Sequence, residues 1–155
     1  MTEASTRGFE VIREFQGKDI ALPERKTAAS AGYDLQAALD CIVPPRELTM
    51  VPTGLKAYMQ PDEVLAIHIR SSLAVKQKLM LMNSVGVVDA DYYNNPDNEG
   101  HIFIALWNLG KESVAIKKGE RIAQGVFQKY LTVDGDKAGV GSERIGGFGS
   151  TGLAR

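Results

Sequence analysis

Arg70-Ser71-Ser72-Leu73 sets a guanidinium and two hydroxyls where an apolar run, Val64–Ile69, meets the one stretch of helical composition, Ser71–Lys78. Serines at such a junction commonly cap the helix. The same turn, with free N–H groups and an arginine, also makes an anion site. Asn83 through Tyr92 places Asp89 directly after Val87-Val88. Turn aspartates are usually structural, but one lying against valines would be partly desolvated, which favours a usable general base. Calcium is the wrong ligand for this acidic run, because Tyr93 and Asn94 follow where an EF-hand loop needs further oxygen ligands and a glycine. Lys118 to Gln124 reads as a turn entering a strand and is weak evidence alone. Gly146-Gly147-Phe148-Gly149-Ser150-Thr151-Gly152 combines backbone N–H groups, hydroxyls and an aromatic ring, the parts that would clamp a phosphorylated, ring-bearing ligand. Read blandly, it is a frayed end. His68 and His101 show no metal-ligand spacing and read as core or surface residues, and Trp107 reads as packing.

The elements that must hold these groups are short and mostly of period two. Val64–Ile69 and Ile102–Trp107 are apolar on both faces, as strands packed between two layers are. Further strands are expected at Phe9–Ile12, Leu48–Val51, Leu55–Met59, Ser113–Ile116 and Ile122–Val133. Turn residues punctuate them at Pro44-Pro45, Pro52-Thr53-Gly54, Asn95-Pro96-Asp97 and Lys117-Lys118-Gly119. Many short strands with one short helix predict an all-β sandwich or barrel. Residues 1–133 are expected to form one domain. Residues 134–155 hold seven glycines and few aliphatic side chains, too few to offset their own ordering entropy, and are expected to be a flexible tail or lid.

Composition narrows the partners. At 155 residues the chain has the size of a single domain. Its 18 basic and 19 acidic side chains nearly cancel, unlike the footprint of a nucleic-acid binder. No apolar run reaches the ~18 residues of a membrane span. A single cysteine, Cys41, excludes an internal disulfide and a Cys-based zinc site. With a polar start lacking a signal-peptide core, it points to a reducing cytoplasm.

Taken in order, five segments resemble the motifs of the trimeric dUTP diphosphatases (dUTPases): Ala31–Ala38, Arg70–Ala74, Asn83–Tyr92, Gly119–Gln124 and Gly146–Gly152. The resemblance implies a jelly-roll-like β fold, a homotrimer with active sites at subunit contacts, and Mg²⁺-assisted hydrolysis of dUTP to dUMP and pyrophosphate. Such an enzyme keeps uracil out of DNA and supplies dUMP for thymidylate synthesis. Carried over by residue, it makes Asp89 the general base for water attacking the α-phosphorus. Asn83 would bond the uracil edge, aided by backbone near Val87, Val88 and Phe103, and Tyr92 would lie against the deoxyribose and exclude a 2′-hydroxyl. Arg70, Ser71, Ser72 and Gln124 would hold phosphate oxygens, and Asp34 would hold magnesium through water. Phe148 would stack on uracil while Arg144, Gly149, Ser150 and Thr151 close over the γ-phosphate.

The sequence departs from that pattern twice. The family's tail arginine stands five residues before the phenylalanine, where this chain has Glu143, and Arg144 is one position nearer. The hairpin after Tyr92 is also longer than the family's short Tyr-x-Gly turn. Its extra residues, 93–100, are either a tolerated insertion or a surface for trimer contacts or a protein partner. One rival is dCTP deaminase, on the same fold. Its proton-shuttling glutamate falls on Ala105 here, which disfavours it. The other is a regulatory protein that keeps the fold and binds a partner through the hairpin; intact Asn83, Asp89 and Tyr92 argue against lost chemistry.

Overall fold

The computed structural model describes residues 4–139 and 143–148. Among these lie eleven strands: β1 (Gly8–Val11), β2 (Tyr33–Gln36), β3 (Cys41–Val43), β4 (Leu48–Pro52), β5 (Leu55–Tyr58), β6 (Glu63–Ile69), β7 (Leu79–Leu81), β8 (Gly86–Asp89), β9 (Phe103–Asn108), β10 (Val114–Ile116) and β11 (Arg121–Lys129). The helix, α1, spans Ser71–Gln77 and ends at Lys78, which takes the left-handed conformation at φ 57°. Short 3-10 turns follow β1 at Arg13–Phe15 and β8 at Ala90–Tyr92.

All pairings are antiparallel. The larger sheet runs β2-β11-β6-β8 and the smaller β4-β9-β7, with β1-β5 and β3-β10 as two-stranded ribbons. Leu35, Leu65, Ile67 and Ile122 of the larger sheet meet Val51, Leu79, Ile104 and Leu106 of the smaller in one buried cluster. Each such side chain stabilises by roughly 1.5–3 kcal/mol when removed from water, so these facing rows account for the layering. This is the jelly-roll-like β architecture expected.

Some expectations need correction. β6 is covered on both faces, with Leu65, Ala66 and Ile67 all buried, but β9 alternates. Ile104, Leu106 and Asn108 point inward, while Phe103, Ala105 and Trp107 are only half-buried, because within this chain the smaller sheet has one covered face. β11 stops at Lys129 rather than Val133; residues 130–139 are exposed and add nothing to the core. β2, β3 and β7 were not anticipated as strands, since three or four residues are too few for an alternation to show. Neither serine caps α1: Arg70 occupies the cap position and no side chain bonds the free N–H groups there.

Candidate active site

β8 and the turn after it build one half of the site. β8 is paired to β6 in the register Val64↔Asp89 to Ile67↔Gly86, with no second strand beside it among the described residues. Its outer edge is therefore open. Asp89 ends the strand with its side chain 52% exposed, so the expected desolvation against Val87-Val88 is not found; Val87 itself points outward. Tyr92, one turn on, is buried, and burial pushes its hydroxyl above the ordinary phenol range, against a smaller opposing pull from the Asn98 hydrogen bond. Asn83, Val87, Val88, Asp89, Tyr92 and Phe103 line a single cavity of about 360 Å³.

The tail returns across this cavity. Arg144 donates from Nη2 to Asp89 Oδ2 and from Nε to Asp91 Oδ1, each at 2.6 Å. The Asp97 N–H donates to the Ile145 carbonyl at 3.0 Å. Gly147 lies on the Tyr92 ring, where a Cβ would come within 2.7 Å of Cε2, and only glycine fits that approach. Phe148 meets Phe103 edge-on at 6.5 Å between centroids. Gly149, Ser150 and Thr151 lie outside the described residues.

The other half sits elsewhere. Gln124 on β11 pairs with His68 of β6 on one side and Asp34 of β2 on the other. Its side chain rests on Gly32, whose lack of a Cβ makes room for it. Asp34, largely buried, accepts a hydrogen bond from Arg121 at 3.2 Å, and Arg70 donates to the Arg121 carbonyl at 3.3 Å. Ser71 is exposed and Ser72 half-buried at the start of α1. Val64 faces Asp89, and Arg70 lies six residues further along β6. At ~3.3 Å per residue that separates the two backbone positions by about 20 Å. Within one chain Arg70 and Asp89 therefore stand at opposite ends of β6.

Oxygen donors for a metal are sparse: no group of three His, Cys, Asp or Glu side chains that could hold one occurs among the described residues. A single carboxylate such as that of Asp34 is compatible with Mg²⁺, which keeps several waters and takes one or two carboxylates plus substrate phosphates rather than a closed protein cage.

The sequence did not single out Asp91, Arg121 or Asn98. Arg121 was visible as the cation inside the Gly119–Gln124 segment. Asp91 and Asn98 sit in polar turns, where no periodicity marks them.

Comparison with known proteins bears on the family and the fold. The family model described as dUTPase matches residues 18–152. A deoxyuridine 5'-triphosphate nucleotidohydrolase of Lactococcus lactis is 54% identical over 146 residues, covering 94% of this chain and 97% of the relative. One from Escherichia coli is 39% identical, covering 88% and 90%. The crystal structure of the Streptococcus mutans dUTPase superposes with a TM-score of 0.79 at 49% identity, over 83% of this chain and 99% of that one. A mutant dUTPase from phage phi11 of S. aureus, described with a coordinated structural Mg(II) ion, shares the fold at 19% identity and a TM-score of 0.70, covering 87% and 97%. With a family model spanning most of its length and close relatives matched nearly end to end, the chain belongs to the dUTPase family.

Proposed function

We infer that this chain hydrolyses dUTP to dUMP and pyrophosphate. The observation that carries the reading is the cavity where an amide (Asn83), a carboxylate (Asp89) and two aromatic rings (Tyr92, Phe103) converge, with Phe148 at its rim. Its volume falls in the usual range for small-molecule sites. Asn83 can pair with a pyrimidine edge, and a site built to bond that edge rejects a base presenting the opposite pattern. The buried Tyr92 ring forms a wall for the sugar.

Phosphoanhydride hydrolysis depends mainly on positioning and on neutralising spread negative charge. Asp89 accepts the proton of a water whose oxygen attacks the α-phosphorus; the bond from that phosphorus to the bridging oxygen breaks and pyrophosphate leaves. Arg144 must then move from Asp89 and Asp91 to phosphate oxygens, which frees the base as the charge arrives. Arg70, Ser71, Ser72 and Gln124 hold the remaining phosphate oxygens. Asp34, through water, would hold a Mg²⁺ ion, which supplies further charge neutralisation on the phosphates.

The span of about 20 Å between Asp89 and Arg70, set by the β6–β8 register, supports a homotrimer whose sites draw on different subunits. The half-buried outer face of β9 suits a subunit contact. The cytoplasm is the compartment this substrate implies.

The test offers dUTP, dCTP, dTTP and UTP with and without Mg²⁺ and records pyrophosphate and ammonia. Pyrophosphate from dUTP alone, diminished by chelation, is expected. Ammonia from dCTP would assign a deaminase instead.

A further inference from the structure

The hairpin 93–100 does not hang free. Lys56, buried on β5, donates to Asn94 Oδ1 at 2.6 Å and to Glu99 Oε1 at 3.2 Å. Glu99 also accepts from the Arg13 N–H and from Arg13 Nε, and the Tyr93 hydroxyl donates to Glu10 at 2.8 Å. These contacts fasten the outer side of the hairpin to β1, the turn after it and β5.

Its inner side grips Tyr92. Asn95, buried, donates from Nδ2 to the Tyr92 carbonyl and to Asn98 Oδ1, both at 2.8 Å. The Gly100 N–H donates to the same Asn98 Oδ1 at 3.1 Å. Gly100 itself needs its positive φ of 85°, and a Cβ there would come within 2.7 Å of the Tyr92 carbonyl. A backbone N–H can only donate, so the oxygen of the Asn98 amide must face Gly100 and its nitrogen must face Tyr92. That nitrogen donates to the Tyr92 hydroxyl at 2.8 Å, and the hydroxyl donates to the His101 carbonyl at 2.6 Å. Every proton in this chain of bonds has one possible direction.

We propose that Asn98 is a positioning residue for sugar discrimination: its amide fixes the Tyr92 ring, and the hairpin fixes the amide. The inference rests on the reading of Tyr92 as the wall against a 2′-hydroxyl. A ring held at its hydroxyl from two sides cannot tilt away from a bulkier sugar, whereas one held by the His101 carbonyl alone can. The hairpin is thus part of the specificity apparatus of the site.

The test compares kcat/KM for dUTP with kcat/KM for UTP. Asn98→Asp keeps the acceptor for Gly100 and Asn95 but puts a second acceptor where the donor to Tyr92 stood, so the single hydroxyl proton can serve that oxygen or the His101 carbonyl but not both, and the two-sided hold is lost. The dUTP:UTP ratio should fall roughly fivefold, as loss of about one neutral hydrogen bond implies. General damage to the fold would lower both substrates together and leave the ratio unchanged. Tyr92→Phe removes both bonds of the hydroxyl and should lower the ratio at least as much, and in that background Asn98→Asp should add nothing further. An unchanged ratio in soluble, folded Asn98→Asp, or equal effects of Asn98→Asp with and without the Tyr92 hydroxyl, overturns the proposal. If Asn98→Asp does not fold, an unchanged ratio in Tyr92→Phe overturns it. Tyr92→Ala run in parallel separates the two ideas. Discrimination kept in Tyr92→Ala removes the wall itself; discrimination lost there but kept in the Asn98 variant removes only the positioning role.

Discussion

Asp34, Arg70, Arg121 and Gln124 stand on or at the end of paired strands of the larger sheet and hold one another, whereas Asp89, Tyr92 and Arg144 stand on an edge strand, the 3-10 turn after it and a returning tail. The first group is fixed by ladder hydrogen bonds on both sides of β11. The second depends on side chains reaching across loops. Charge divides the same way: Arg70 and Arg121 dominate the first region, and Asp89 and Asp91 the second, balanced there by Arg144 from the tail. A phosphate chain needs a rigid cationic bed, and a general base needs room to meet a water and release a partner. Under the proposed assignment, the first region is the bed for the phosphates and the second holds the base.

The sharpest break in this comparison is Asp89→Asn. A positioned base contributes on the order of 10²–10⁴-fold, so pyrophosphate release should fall by that much while dUTP binding, followed by calorimetry, is kept. Normal turnover would mean that the base lies elsewhere. Arg70→Ala should also abolish useful turnover, by weakening phosphate binding instead. Mixed by co-refolding in equal amounts, the two inactive chains should recover activity at about a quarter of the sites in a trimer with shared sites, since each half is then intact half of the time. No recovery would confine both halves to one subunit.

A smaller effect is expected at Arg144. Replacing a charge-assisted bond of about 1.5–3 kcal/mol predicts roughly a ten- to hundredfold loss of kcat/KM for dUTP in Arg144→Ala, with the melting temperature little changed. An unaltered rate would show that the register shift from Glu143 has retired the arginine from the reaction.

The two regions were unequally legible in the sequence. β6, β9 and the Asn83–Tyr92 segment stood out because alternation or an apolar run marked them, and Asp89 followed as the acid ending such a run. Its exposure was not foreseen, because edge placement depends on which strands pair, and pairing across 60 or 90 residues leaves no local trace. The role of Arg121 toward Asp34 was hidden for the same reason: the two are 87 positions apart and meet through the β2–β11 register. Residues 93–100 read as an insertion because polar turn residues look alike whether they face solvent or knit a hairpin. Only the register of amide donors and acceptors distinguishes Asn95 and Asn98 from their exposed neighbours.

The least effect is expected from acid, and it too separates regions of the molecule. His101 is buried between Phe15 and Phe103, and its Nε2 accepts the Gly54 N–H at 3.0 Å. Burial lowers its affinity for a proton, opposed in part by Glu14 and Glu99. With the folded value depressed, the unfolded chain takes up the proton first. The stability His101 contributes is therefore complete above about 6.5 and is lost as the pH falls toward and through the lowered folded value. Glu63 behaves differently, because the Arg7 guanidinium hydrogen-bonds its carboxylate and holds it low, so its contribution is lost only in the more acidic carboxylate range. Denaturant titrations from pH 7 to pH 5 should show a loss of stability that is reduced in His101→Gln, whose side-chain oxygen can still accept the Gly54 N–H. Because the His101 carbonyl holds the Tyr92 hydroxyl, the same pH window should loosen sugar discrimination before the domain unfolds. Equal slopes in the two proteins would place the acid sensitivity outside this histidine, and a dUTP:UTP ratio that stays constant across the window would leave the cavity wall indifferent to it.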